Sequence, residues 1–194
     1  TLSPQASVGI TATFRPSSLG IKNAALLVYY NNAMSPLRIP LYGIANTSTS
    51  TISIAKRIKG AADVNVTIGG KVWEADINYR RGNIKLDRPG ATPIAGTDDD
   101  ALYQTYLSSN ADLDEIRYET PITNGNYILR MHFAENFWSA AGARVFHINS
   151  ENVTQLYNFD IFNEVGFKAA LVKDFEVSIT DGVLNLKFNP TANR

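Results

Sequence analysis

Apolar side chains at every second position, in row after row separated by turn residues, constrain this chain more than any other feature. Tyr127, Leu129, Met131 and Phe133 fall on one face of an extended segment, Phe146 and Ile148 on that of another. Phe175, Val177 and Ile179 form a third row, and Leu184, Leu186 and Phe188 follow. Successive side chains of a strand point to opposite faces, so a period of two marks a strand with one face buried. Nearer the N-terminus Val8, Ile10, Ala12 and Phe14 alternate in the same way. Arg15 to Gly20 then supplies turn residues, Ala24 to Tyr30 reads as a second strand, and Leu37 to Leu41 as a third. Pro40 predicts an edge position, because proline has no N–H to give to a ladder.

Further along, a strand region opens at Ile52 to Ile58. Val64 to Trp73 predicts a hairpin turning at Gly69-Gly70, and Thr180 to Val183 predicts another at Asp181-Gly182. Gly82 to Gly96, with Pro89 and Pro93, reads as irregular, and only Asp160 to Phe167 offers a helical turn. The fold class is all-β, a sandwich or jelly roll.

Three strands cannot close a sandwich, which takes about seven. Residues 1–45 therefore read as the C-terminal portion of one β domain. Asn46 to Thr51 is a polar stretch without an apolar anchor, a linker, and residues 52–194 form the second domain.

Charge excludes some partners. Lys plus Arg equals Asp plus Glu at 18 each, and no basic run occurs, so the chain lacks the electrostatic footprint of a nucleic-acid binder. There is no cysteine, which removes disulfides, thiolate metal sites and cysteine nucleophiles. No apolar run reaches the roughly 20 residues needed to span a bilayer, so membrane insertion is not expected. Asp98-Asp99-Asp100 lacks the alternating spacing of a calcium loop and reads as capping the turn before Leu102-Tyr103. Arg80-Arg81 reads as solvated surface. His132 and His147 lie on separate strands without a third ligand and read as hydrogen-bonded structural residues. No metal or cofactor is expected.

Specific motifs begin at Trp73. Trp73-Glu74-Ala75-Asp76 and Gly96 to Thr105, with Asp98-Asp99-Asp100-Ala101-Leu102-Tyr103-Gln104-Thr105, open an ordered series. Arg117 to Ile122, Asn124 to Tyr127, His132 to Trp138, Gly142 to Phe146, Asn158 to Phe162, Gly166 and Asp181 to Leu184 continue it. This series resembles the malectin domain. The resemblance implies a jelly-roll lectin fold that binds short neutral glucans without catalysis. The run Ala12 to Pro16, Gly20 and Pro40 to Gly43 resembles the closing strands of immunoglobulin-like domains found in spindle-associated, ciliary and bacterial surface proteins. Those domains serve as spacers or docking units. The resemblance also implies a further strand beyond Arg194, so both ends read as cut.

A sugar presents an apolar C–H face and a rim of hydroxyls, so its site wants exposed aromatic platforms beside small polar side chains. Phe137 and Trp138 follow the strand end Ala134-Glu135, where a loop can lift them off the core. The resemblance implies a binding role there, for a Tyr followed by a Phe. It also implies a tyrosine where Ser108 stands, for which Tyr106 substitutes on the same strand face, and another near Asn83 to Leu86, where Tyr79 is the nearest aromatic. A carboxylate implied near the C-terminus is replaced by Asn193. The expected ligand-binding set is Phe137, Trp138, Tyr106, Tyr79 and Asn193.

The leading expectation is a noncatalytic carbohydrate-binding module of an extracellular, cell-surface, bacterial multidomain protein, partnered by an oligosaccharide and by its host's other domains. Two alternatives stay open: a spacer or protein-docking unit with a decayed sugar site, and a hydrolase using Glu119, Glu135 or Asp160.

Overall fold

The computed structural model describes residues 13–28, 37–45, 53–88, 90–111 and 113–193. The chain forms two compact units, Thr1–Ser53 and Ile54–Arg194. In the first, β1 (Gly20–Val28) pairs antiparallel with β2 (Leu37–Ala45) along its whole length, from Gly20↔Ala45 to Val28↔Leu37. Both strands reach four residues beyond their expected bounds, β1 at its start and β2 at its end. Residues 29 and 30 of the expected second strand lie outside the described residues, as do Val8 to Ala12 of the expected first one. Pro40 sits opposite Ala25 in a two-stranded ribbon, where a missing donor is tolerated. Phe14 joins no ladder. Its ring instead lies against Gly43, where a Cβ would meet it at 2.3 Å, so a side chain there would displace the ring.

The second unit carries β3 (Ile58–Lys59), β4 (Val66–Ile68), β5 (Lys71–Ala75), β6 (Arg80–Arg81), β7 (Ile84–Asp87), β8 (Tyr106–Ser109) and β9 (Ile116–Pro121). β10 (Gly125–Phe133), β11 (Arg144–Ser150), β12 (Val153–Phe159), α1 (Ile161–Val165), β13 (Leu171–Ile179) and β14 (Val183–Asn193) follow. A five-stranded sheet, in the order β12-β11-β14-β9-β6, faces the β10-β13 ribbon. Between them Phe146, Ile148, Phe159 and Leu186 from the sheet meet Met131 and Leu171 from the ribbon and Ile161 from α1. Phe159 makes edge contacts with Phe133 and Phe146 at 5.1 and 5.3 Å between ring centres, the geometry that ring quadrupoles favour. The alternating rows read from the sequence thus supply the inward face of both layers.

Gly69 and Gly70, both at positive φ, turn β4 into β5 as a hairpin. Asp181-Gly182 does not make the expected hairpin: β13 pairs with β10, whereas β14 pairs with β11 and β9. The Asp-Gly step carries the chain from one layer to the other. Gly182 has φ +83°, its carbonyl accepts from the Ile122 N–H at 2.9 Å, and Asp181 accepts from the Val183 N–H at 3.1 Å. A positive-φ turn suits an arch as well as a hairpin, and long-range pairing decides between them. Within the stretch expected to be irregular, β7 forms and pairs with β8 from Ile84↔Ser109 to Asp87↔Tyr106. Ile52 lies outside the described residues, and only Ile58–Lys59 of the opening segment is strand, paired in parallel with β5.

Arg80 is not the solvated surface charge that its sequence context suggests. Asp76, the last residue of the Trp73-Glu74-Ala75-Asp76 motif, is fully buried. Its oxygens accept from the N–H groups of Ala61 (2.9 Å) and Ala62 (3.0 Å), from Arg80 Nη1 (2.7 Å) and from the Tyr118 hydroxyl (2.8 Å). Burial, then the Asp76 charge, pushes the Tyr118 hydroxyl well above its usual pKa. A buried carboxylate demands such compensation. Asp76 thereby ties the segment before β4 to β6 and β9. The neighbouring Lys59 is also buried; its ammonium donates to the carbonyls of Gly60 (2.9 Å) and Thr105 (3.0 Å) and to the Thr105 hydroxyl. Burial lowers its pKa to about 8.

Candidate functional site

The site begins where β10 runs out. Glu135 makes an isolated parallel bridge with Phe167, and its carbonyl accepts from the Lys168 N–H at 2.8 Å. Its side chain then turns under its own loop. Oε1 accepts from the backbone N–H groups of Phe137 (2.9 Å) and Trp138 (3.0 Å), and Oε2 accepts from Arg144 Nε (2.8 Å) at the start of β11. With 3% of its surface exposed, this carboxylate is a buried anion satisfied on both oxygens. It therefore fixes the backbone from which the two aromatic side chains project.

Two further bonds secure the loop. Asn136 Nδ2 donates to the Tyr103 carbonyl at 2.8 Å, and Asp160 Oδ2 accepts from the Gly142 N–H at 2.6 Å while its Oδ1 caps α1 through the Asn163 N–H. Behind the loop the Tyr103 hydroxyl lies 2.8 Å from His132 Nδ1, and Trp73 packs edge-on to the same imidazole at 5.9 Å. Burial, helped by the Arg130 charge, lowers the His132 pKa.

On this footing Phe137 stands 63% exposed, its ring 4.8 Å from that of Trp138 at 85°. Trp138 is half-buried. Its indole Nε1 and the Asn136 Oδ1 are buried without a hydrogen-bond partner among the described residues, a donor and an acceptor left over in one loop.

Beside the loop lie Tyr106 of β8 and Asp87 of β7, paired in register. Burial raises the Tyr106 pKa, the Asp87 and Glu135 charges add to this, and Arg144 opposes it, which brings all four groups into one electrostatic neighbourhood. Burial pushes the Asp87 carboxyl up, but hydrogen bonds from Lys85 and Ser108, with the Lys85 and Arg144 charges, outweigh it and hold the group below its ordinary pKa. Lys85 Nζ is 2.8 Å from Asp87, and the Ser108 hydroxyl donates to the same carboxylate. Asn193 stands opposite Arg144 in the β11–β14 register.

Four of the five expected positions thus sit on elements that meet at this end of the sandwich: Phe137, Trp138, Tyr106 and, by its backbone, Asn193. Tyr79 lies just before β6, at the far edge of the five-stranded sheet, three strands along from β11. Its hydroxyl donates to Glu74 at 2.5 Å and accepts from Lys56 at 3.0 Å. Sequence reasoning did not find Asp87, Arg144 or the clamp role of Glu135. The only local signal was a carboxylate directly after a strand and two residues before a solvent-facing ring.

The three aspartates at 98–100 do not cap with their side chains. Asp99 gives no capping bond, the turn closes through its backbone carbonyl to the Leu102 N–H, and Asp100 accepts from the Ile94 N–H at 3.1 Å. Among the described residues no group of three His, Asp or Glu side chains gathers in a way that could hold a metal ion.

The family profile described as the malectin domain matches residues 54–194. The chain belongs to the malectin family. Malectin domains are noncatalytic carbohydrate-binding modules. Malectin-A of Xenopus laevis is 31% identical over 91 residues, covering 46% of this chain and 32% of that protein. Malectin of Danio rerio is 32% identical over 153 residues, covering 75% of this chain and 53% of its own length. The chain thus spans between a third and about half of these relatives. Among solved structures the ANX1 ectodomain from Arabidopsis thaliana superposes with a TM-score of 0.62 at 17% identity, over 90% of this chain and 49% of that one. A β-glucuronidase from Bacteroides uniformis gives 0.57 at 17% identity, over 92% of this chain and 22% of that one. Both likenesses concern the fold. The malectin unit here is mostly β and forms no closed barrel.

Proposed function

We propose that the Ile54–Arg194 unit binds a neutral oligosaccharide by laying a pyranose ring against Phe137, with Trp138 and Tyr106 beside it and Asp87 and Arg144 near its hydroxyl rim. The observation that carries this reading is the Glu135 clamp, which spends a buried carboxylate on holding an exposed ring in place. Phe137 does not stand alone: with the Trp138 ring packed against it and polar groups beside it, it forms an apolar patch with a polar rim, the kind of surface that marks a ligand site. Opposed charges beside the loop (Asp87 against Lys85 and Arg144) suit a neutral hydroxylated ligand better than a polyanion. Glucans are the first class to test, as the family likeness suggests.

The module would tether a larger extracellular protein to a glycan, with residues 1–45 as the end of an immunoglobulin-like spacer. Glu119, Glu135 and Asp160 are each engaged, by Arg81, by the loop and Arg144, and by α1 and Gly142. That arrangement favours binding over hydrolysis.

Calorimetric titration with neutral oligosaccharides of several linkages tests the site. Burying a phenylalanine ring is worth about 1.5–3 kcal/mol, so Phe137→Ala should weaken binding at least roughly tenfold while leaving the melting temperature unchanged. If the variant binds as wild type does, the site lies elsewhere. One observation favours the competing reading of a spacer or protein-docking unit: Ser108 stands where the family has a tyrosine and commits its hydroxyl to Asp87. Failure of every glycan to bind would overturn the carbohydrate reading in favour of that one.

A further inference from the structure

The outward face of the five-stranded sheet carries a second aromatic feature that the loop does not explain. On β12, Tyr157 is 73% exposed, more than any other large hydrophobic side chain described. Its ring stacks face to face on His147 of β11, 4.2 Å between centres and 10° from parallel. The Asn158 N–H donates to His147 Nδ1 at 3.0 Å, so in the neutral imidazole the proton sits on Nε2 and the ring cannot rotate without breaking that bond. Tyr157 is therefore backed on one face by an anchored ring and open to solvent on the other.

Its surroundings are polar but uncharged. The whole of β12, Val153-Thr154-Gln155-Leu156-Tyr157-Asn158-Phe159, contains no ionisable group except the phenol. His147 pairs with Asn189 of β14, and the first charge on that face is Lys187, one row further along opposite Asn149. An exposed, immobilised ring flanked by amides and hydroxyls matches the two surfaces of a pyranose, the C–H face and the hydroxyl rim. A peptide strand adding to the edge of β12 fits less well. The ladder shifts register between Ile148 and Asn149, and Asn158 has φ +48°, so the edge offers no continuous template.

We infer that Tyr157, held by His147, is a second carbohydrate-stacking surface for a neutral pyranose. It is independent of the loop: Glu135, Phe137 and Trp138 make no contribution to it. A domain with both surfaces holds a polysaccharide at two points, and tethered contacts multiply in avidity.

Nondenaturing gels cast with soluble starch, laminarin, xylan or galactomannan test this on the full chain. The six proteins compared are wild type, Tyr157→Ala, Tyr157→Phe, His147→Ala, Phe137→Ala/Trp138→Ala and the triple variant of Tyr157, Phe137 and Trp138, each first shown by circular dichroism to fold. At least one polysaccharide should retard wild type, Tyr157→Ala should lose half or more of that retardation, Tyr157→Phe should keep it, and His147→Ala should weaken it. The loop variant should retain a Tyr157-dependent remainder that only the triple variant loses. That remainder persists or vanishes independently of the loop, so failure of the loop site and failure of this one give different patterns. Three results overturn the inference: Tyr157→Ala migrating as wild type in every gel, no residual binding in the loop variant, or a Tyr157-dependent self-association in sedimentation, which would make a second copy the occupant.

Discussion

Glu135→Ala removes the group on which the loop depends. The substitution frees the N–H groups of Phe137 and Trp138 and leaves the half-buried Arg144 guanidinium without its 2.8 Å partner. Breaking one side of a buried pair costs about 3–5 kcal/mol, and hydrogen bonds to a charged acceptor are worth about 1.5–3 kcal/mol each, in part the same energy. Partial exposure of Arg144, at 20% of its side chain, moderates the sum, so the loss should be about 3–4 kcal/mol. Glu135→Gln keeps Oε1 for both amides and turns only the second oxygen into a donor facing Arg144, so about 1–2 kcal/mol should go. Urea unfolding followed by far-ultraviolet dichroism measures both values, and near-ultraviolet dichroism of the Trp138 region reports whether the ring stays put. The Arg144→Met single and double variants close a cycle, with an expected coupling of about 2 kcal/mol. If Glu135→Ala costs under about 1 kcal/mol, or leaves the Trp138 signal unchanged, the clamp does not hold the loop and the case for a presented platform falls with it.

Other consequences are as direct. Asp76→Asn should cost about 3–5 kcal/mol by removing the buried charge that meets the Ala61 and Ala62 N–H groups, the Tyr118 hydroxyl and Arg80, which keeps only its more exposed partner Asp63, and urea unfolding would show a midpoint unchanged if Asp76 were dispensable. The depressed pKa of Lys59 means that the unfolded chain binds the extra proton between pH 8 and 10.5, so stability rises with pH across that window. Between pH 7 and 9.5 the gain should be about 2 kcal/mol, absent in Lys59→Met, and a flat difference between the two proteins refutes it. Gly182→Ala forces a side chain into φ +83° and should lower stability by about 1–2 kcal/mol in a thermal melt, whereas no change would mean that the arch relaxes freely.

The strands of the two layers were legible because a half-buried strand writes its period directly into the sequence, as Tyr127 to Phe133 and Phe175 to Ile179 do. Tyr106 was placed by the same rule, two residues from Ser108 on one face. What local pattern cannot carry is partner choice. Asp181-Gly182 turns the chain, but whether β14 folds back on β13 or crosses to β11 depends on residues more than thirty positions away. Arg80 looked solvated because nothing beside it announces that Asp76 is sealed inside. For Tyr79, nearness in sequence to the expected position said nothing of the Glu74–Lys56 cluster that engages its hydroxyl.

Between the Glu135 clamp and the bond from Gly142 to Asp160, the tip Ser139-Ala140-Ala141 is exposed and made of small side chains. The root of the loop is rigid and its crown is unconstrained, so insertions there should leave the rings beneath undisturbed. Grafting longer, polar crowns at this spot offers a route to new sugar selectivity on an unaltered scaffold.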